Sequence, residues 1–376
     1  MNAPKHVLIL VEDPGACNYV KEFQSAFAEV GVHADLVVSG PGVAYLTARH
    51  ITFQTVQPET SASELLSTYD PSLVILGTSE NKRSIALAVT HECRKLGIPT
   101  VAVVDMAVNA HLRFRGTADW PLAYAPDWLL VPDNLCKSEY EKLGFSGSAI
   151  VVVGHPHYDH VRSMTGLSAK KCQQLRKKLV GGDLDRRILT FVAEGKDLLN
   201  PSASTRSEQY TLSGRGRSQF RTAIVLEELL DALAQLHAKP YVVVRLHPKM
   251  AQDDLAEFAK EIDFFSIEED PLEVIGASDL VIGMSSMMLQ EAVIMGKQTL
   301  SILPRKEEQR WLSTTSDGST PCVFSSSELR LFLDEFFTNP WSSEALGGFV
   351  YQSGALRAVI DFVCGVLNGA STAQFQ

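Results

Sequence analysis

Residues 278–304 read SDLVIGMSSMMLQEAVIMGKQTLSILP. An apolar run ends in two serines, a helix-patterned stretch follows, Gly296 stops it, and a second apolar run starts at Gln298. Strand, helix and strand in so short a span form the βαβ unit of a parallel sheet. The runs are apolar on consecutive residues instead of every second one, which indicates cover on both faces. The same grammar continues outward. Upstream stand RILTFVAEG (187–195), TAIVLEELLDALAQLH (222–237), PYVVVRLHP (240–248) and FFSIEED (264–270). Before residue 160 an earlier series runs through HVLILV (6–11), ADLVVSG (34–40), SLVILG (72–77), PTVAVVD (99–105), PDWLLVPD (126–133) and AIVVVG (149–154). Helix-patterned segments at 19–30 and 81–97 lie between these strands. The pattern predicts an α/β protein with two Rossmann-like domains facing across a cleft. Residues 1–160 make the first domain, 161–350 the second, and 351–376 a closing helix with a frayed tail.

The 376 residues are 45% hydrophobic and 21% charged, enough for two conventional cores and unlike a disordered chain. A net charge of −10 speaks against nucleic acid as a partner, because that binding needs a basic footprint. No stretch approaches the ~20 apolar residues that span a bilayer, and no leader cleavage site precedes Glu12 and Asp13. The six cysteines are scattered without a CxxC pair, as expected of free thiols in a cytoplasmic protein. A polar insertion between Leu198 and Gln219, reading NPSASTRSEQYTLSGRGRSQ from Asn200, is long enough to be functional or disordered.

In open parallel sheets, ligands bind beyond the carboxyl ends of the strands. In the second half those ends carry Glu194, Arg245, His247, Lys249, Ser285 and Ser286. In the first half they carry Glu12, Asp13, Thr78, Glu80 and Asp105. Ser285 and Ser286 stand where a strand turns into a helix, so hydroxyls and free helical amides converge on one anion position. His247 of RLHPK adds a donor for the same phosphate, and charge-assisted bonds of this kind are worth roughly 1.5–3 kcal/mol each. Glu291, six residues beyond Ser285, is spaced to accept from ribose hydroxyls. The competing reading makes Ser285 a plain N-cap and His247 a satisfied strand-end residue; the combination favours the phosphate. Glu194, Arg221, Arg245, Lys249 and His155 are the further candidate substrate contacts.

The succession of RLHPK and SDLVIGMSSMMLQEAVIMGKQTL resembles the carboxyl-terminal half of GT-B-fold glycosyltransferases. The HP and paired-serine motifs are similar to those of bacterial sialyltransferases, polysialyltransferases and Kdo transferases. The run from Ser285 to Glu291 also resembles the donor loop of UDP-N-acetylglucosamine 2-epimerases. The resemblance implies that His247, Ser285 and Ser286 hold the nucleotide phosphate and that Glu291 holds the ribose. It further implies a nucleotide-sugar donor, a glycan or glycoconjugate acceptor and a place in surface-polysaccharide assembly. The HP and SS motifs lean toward a CMP-activated acidic sugar and leave UDP-sugars open. The histidine and arginine elements of the epimerases are absent from the first half, which disfavours epimerisation.

An inverting sugar transfer needs a carboxylate to take the acceptor hydroxyl proton. It also needs a stabiliser for the departing phosphate, the role expected of His247, Ser285 and Ser286, with no cofactor and no metal expected at that phosphate. Asp105 is the expected base, facing the donor across the cleft, with Asp13 in reserve. The competing reading of Asp105 is an N-cap or an ion pair with Arg113 or Arg115. A second motif, GHPHYDH (154–160), matches the HxHxDH signature of dinuclear metallohydrolases, with His155, His157, Asp159 and His160 as ligands. Against that alternative, no histidine follows His247, and the first 150 residues alternate strand with helix. The reading adopted is a metal-independent, inverting GT-B glycosyltransferase. The alternatives are the metallohydrolase and a nucleotide-sugar-binding protein without turnover.

Overall fold

The computed structural model describes residues 5–57, 59–167, 169–181, 183, 185–196, 201–338 and 351–369. The chain divides into two compact units, residues 1–159 together with 351–376, and residues 160–350.

In the first unit, β1 (His6–Val11), β2 (His33–Val38), β3 (Gln54–Thr55), β4 (Leu73–Gly77), β5 (Thr100–Val103), β6 (Trp128–Val131) and β7 (Ile150–Val152) form one parallel sheet. Its strand order is β3-β2-β1-β4-β5-β6-β7. In the second unit, β8 (Ile188–Val192), β9 (Tyr241–Arg245), β10 (Phe264–Ser266), β11 (Leu280–Gly283), β12 (Gln298–Ile302) and β13 (Cys322–Val323) form another, also parallel. The order there is β10-β9-β8-β11-β12-β13. Each unit is therefore a Rossmann-like α/β fold, as the unbroken apolar runs predict. In both sheets the order reverses beside the first strand, between β1 and β4 and between β8 and β11, and such a reversal is where ligands bind.

The apolar strands divide their residues between two cores. Val7, Ile9 and Val11 of β1 join Phe23, Phe27 and Phe362 on one face, while Leu8 and Leu10 join Leu65, Val89 and Tyr140 on the other. The helix Ala355–Leu367 contributes Val359, Ile360, Phe362 and Val363 to the first of these cores. Asp159 fixes its start by accepting from the Gly354 and Ala355 N–H groups at 3.0 and 2.9 Å. The expected tail beyond this helix lies, from residue 370, outside the described residues.

Three local readings change. The helix expected at 19–30 is two helices, Pro14–Val20 and Phe23–Glu29, the first started early by Pro14 at its first turn. The segment 81–84 stays out of the helix Ile85–Leu96, because Asn81 Oδ1 accepts from the Arg83 N–H in a side-chain turn. The polar insertion, whose residues 198–200 lie outside the described residues, is fastened from 201 onward. Arg206 donates to the Ser213 and Ser218 carbonyls, and Arg215 pairs with Asp231 and Glu261. Among the described residues no helix is long and apolar enough to cross a membrane. None of the six cysteines, all among the described residues, is in a disulfide.

Candidate functional site

At the switch point of the second sheet, the chain leaving β8 brings Glu194 against the chain leaving β11. Glu194 Oε1 accepts from the Ser285 N–H at 2.5 Å, and the Ser285 hydroxyl lies 3.3 and 3.1 Å from the two carboxylate oxygens. Glu194 Oε2 meets Arg221 Nη1 at 2.5 Å. Arg221 opens the helix Arg221–Leu233 and is buried; its other terminal nitrogen donates to Glu308. The second Glu308 oxygen takes Arg305 Nε at 2.5 Å. Two carboxylates and two guanidiniums thus alternate in a buried file, Glu194–Arg221–Glu308–Arg305, whose formal charges cancel. Trp311 faces Arg221 and Arg305 at 5.5 and 5.6 Å, and Tyr210 of the insertion lies 5.4 Å from Arg305. Burial alone would lower the Arg221 pKa, but Glu194 and Glu308 outweigh it and hold the guanidinium charged. Arg221 Nε and the Tyr210 hydroxyl are buried with no hydrogen-bond partner.

His247 reaches the same loop. A Cβ at Gly195 would stand 3.0 Å from His247 Nδ1, so glycine there lets the ring lie against the Glu194 turn. Nδ1 accepts from the Lys249 N–H at 3.1 Å, which leaves the neutral ring's proton on Nε2. Burial pushes the His247 pKa down, the nearby Lys249 charge adds to this, and Glu194 opposes it.

The structure thus brings Glu194, Arg221, His247 and Ser285 together. Ser286 is the N-cap of the helix Met287–Ile294, its Oγ accepting from the Met288 N–H at 3.3 Å, and Glu291 is buried within that helix. The N-cap role weighed for Ser285 therefore belongs to its neighbour. Arg245 turns elsewhere, donating to Ser266 Oγ and to the carbonyls of Ile267 and Glu269, while Lys249 is exposed. Glu308, Arg305, Tyr210 and Trp311 were not among the expected site residues. Chemically, the Ser285 amide beside a helix start is an anion position, and a carboxylate stands in it.

In the first unit, Arg113 Nη1 pairs with Asp105 Oδ1 at 2.8 Å and donates to Thr78 Oγ1 at 2.7 Å. The ion pair weighed for Asp105 is therefore formed. Burial would lower the Arg113 pKa, but Asp105 first, with Tyr140 and Glu80, raises it. Asp105 Oδ2 packs so closely on Gly15 that a Cβ there would lie 2.1 Å from it. Asp13 precedes the helix Pro14–Val20 as its N-cap residue. Glu12, directly at the β1–β4 switch point, accepts from Asn81 Nδ2 through Oε1 and keeps a buried Oε2 with no partner. It lines a narrow hollow with Ser39 and Ser84, and the Ser84 hydroxyl also lacks a partner.

The HxHxDH motif does not assemble a metal site. Pro156 starts a helix, Pro156–Leu167, on which Asp159 turns away from the face that His157 and His160 share. His155 is fully buried, 4.6 Å from the Tyr19 ring and stacked 4.8 Å from Tyr158, and its Nδ1 accepts from the His157 N–H. His157 Nδ1 lies 3.2 Å from Lys21 Nζ, Asp159 caps the closing helix, and His160 is exposed. Among the described residues these four belong to no group of three or more ligand atoms that converge. The metallohydrolase alternative therefore fails on placement.

The burial of His155 has a measurable result. Burial, then His157 and Lys21, lowers its pKa well below 6.5 in the folded chain, whereas the unfolded chain binds a proton near 6.5. The unfolded state then holds more protons as pH falls below about 6.5, so stability present above that value is lost on acidification. We expect the melting temperature to fall between pH 7 and 5 in the parent and to fall less steeply in His155→Phe. Parallel curves for the two proteins would rule His155 out as the source.

No family model matches the chain and no curated protein is significantly similar to it. Solved structures are similar in fold. The UDP-GlcNAc 2-epimerase of Neisseria meningitidis bound to UDP-GlcNAc superposes with a TM-score of 0.67 at 12% identity, covering 96% of this chain and 99% of that one. A glycosyltransferase from Rickettsia africae gives 0.61 at 13% identity, covering 98% and 99%. HepE of Anabaena in complex with UDP gives 0.60 at 12% identity, covering 97% and 100%. What this chain shares with them is the fold, two parallel-sheet Rossmann-like domains of the UDP-GlcNAc 2-epimerase and GT-B kind.

Proposed function

We propose that the second unit binds the phosphate of a nucleotide-sugar at the β8–β11 switch point, and that the protein transfers the sugar to a glycan or glycoconjugate acceptor. The observation that carries this reading is the Ser285 N–H, which already holds an anionic group at the strand-to-helix turn. A phosphate taking that amide replaces the Glu194 carboxylate there. Arg221 is then left with a free side toward the phosphate, and His247 Nε2–H is the second donor. Preorganised donors of this kind stabilise a leaving phosphate as charge develops on it. Ser286, at the start of the helix Met287–Ile294, keeps its proposed role at the phosphate, and Glu291, within that helix, its role at the ribose.

Two of the similar proteins named above were solved with UDP or UDP-GlcNAc, so UDP is the first nucleotide to test, ahead of the CMP favoured by the HP and SS motifs. In the first unit a carboxylate takes the acceptor proton. Asp105 is the expected base with Asp13 in reserve, and Glu12 joins them because it keeps a buried oxygen with no partner. Thermal unfolding with UDP, CMP, CDP and GDP tests the donor site. A ligand at a hundredfold excess over its Kd stabilises by about 2.7 kcal/mol, a shift of several degrees. We expect UDP to produce it and Ser285→Ala/Ser286→Ala to reduce it, the Ser285 N–H remaining in that variant. No shift with any nucleotide would remove the donor site, and an undiminished shift in the double variant would remove the serine hydroxyls from it.

A further inference from the structure

The register of β1 and β2 sets His6 opposite His33 and Leu8 opposite Asp35. Alternation along β2 puts His33 and Asp35 on the same face of the sheet, and His6 meets them there. His6 Nε2 lies 2.9 Å and His33 Nε2 3.3 Å from the same oxygen, Asp35 Oδ2, and the two imidazole rings stack at 4.8 Å. Among the described residues this is the one group of three histidine, cysteine or carboxylate side chains whose ligand atoms all lie within 4.8 Å of one another.

The hydrogen bonding of His6 shows what this cluster lacks. His6 Nδ1 lies 2.5 Å from the Tyr69 carbonyl oxygen. A carbonyl only accepts, so Nδ1 carries the proton of the neutral ring and Nε2 presents a lone pair. Facing that lone pair is a carboxylate oxygen, which also only accepts. The contact needs a cation between the two atoms, either a second proton or a metal ion. His33 favours the metal, because it brings a second imidazole nitrogen to the same oxygen. The spacing agrees: bonds of about 2.0–2.2 Å to nitrogen and oxygen hold neighbouring ligand atoms roughly 3.0–3.4 Å apart. The support is also of the right kind. A metal-bound histidine typically donates its other N–H to a carbonyl or carboxylate, as His6 does to Tyr69. Gln54 Nε2 lies 3.4 Å from the other Asp35 oxygen and is itself held by the Tyr69 hydroxyl through its Oε1.

We propose that His6, His33 and Asp35 bind a divalent transition-metal ion, zinc being the expected occupant. Two imidazoles and one carboxylate suit zinc, nickel or copper and not the oxygen-only preference of magnesium or calcium. The ion ties the amino ends of β1 and β2, at the opposite end of these strands from Glu12. The His33 side chain is 68% exposed, which leaves the remaining coordination positions to water.

The test uses full-length protein stripped with a chelator and titrated with Zn2+ by calorimetry, alongside His33→Ala and Asp35→Asn. His33→Ala removes an exposed side chain, and its unfolding curve without metal checks that it folds. The expected result is one site in the parent, weakened about tenfold or more in both variants, with Zn2+ raising the melting temperature of the parent alone. Absence of binding, or binding of equal strength in His33→Ala, overturns the proposal; the first outcome would assign the bridge between His6 and Asp35 to a proton.

Discussion

Arg221→Ala is expected to destabilise the second unit by about 3–5 kcal/mol, the cost of breaking a buried ion pair from one side. The guanidinium lies between Glu194 and Glu308, and the Glu308 side chain has no exposed surface, so its loss leaves two carboxylates sharing the single charge of Arg305, with Glu194 held only by Ser285. Trp311, 5.5 Å from Arg221, supplies a local fluorescence signal for the unfolding of this unit. Because the penalty comes from stranded charge, Glu308→Gln in the Arg221→Ala background should recover part of it. The variant should also lose the stabilisation by UDP, since Arg221 is the cation proposed to meet the phosphate. A loss smaller than about 1 kcal/mol, the size of an ordinary substitution, would mean that the file of charges does not carry this unit's stability.

Glu12→Gln is expected to lower the transfer rate by about 10²–10⁴-fold, the usual contribution of a general base, with nucleotide binding in the second unit unchanged. Glutamine keeps the shape and the acceptor toward Asn81, so the variant removes little besides the proton-accepting oxygen. Asp105→Asn is the companion measurement. It takes the counter-ion from buried Arg113, so its main effect should be on the melting temperature of the first unit. If Glu12→Gln turns over at the parent rate while Asp105→Asn is folded and inactive, the base is Asp105.

How far the sequence reaches is visible at particular residues. HVLILV, SLVILG and DLVIGMSS are legible as doubly covered strands because their inner runs, VLILV, LVILG and LVIGM, are apolar on consecutive residues, and their carboxyl ends mark where a site can form. Ser285, His247 and Glu194 stand at such ends, whereas Arg221 follows the arginine-rich insertion and opens a helix. Glu308 and Arg305 are not legible, because PRKEEQR reads as a solvated charge run, and Glu308 meets Arg221 across 87 positions of sequence. Nothing local announces a pairing at that distance. The HxHxDH reading went wrong for a different reason. Spacing alone cannot say whether residues 157–160 line one side of a turn or wind around a helix, and Pro156 decides for the helix. His6, His33 and Asp35 escaped notice because they gather only when two strands pair in one register.

The closing helix has a consequence for how the chain is made. Its residues 355–367 complete a core begun by residues 7–11, and the whole second unit is translated in between. At about 5–20 residues per second, roughly ten to forty seconds separate the release of β7 from that of this helix. Throughout that interval the nascent first unit displays the apolar face that Val359, Ile360, Phe362 and Val363 later cover. The second unit is one uninterrupted stretch and meets no such delay. Maturation on the ribosome therefore runs against the order of synthesis: the unit begun first is finished last, and its open face is where a chaperone would engage the emerging chain.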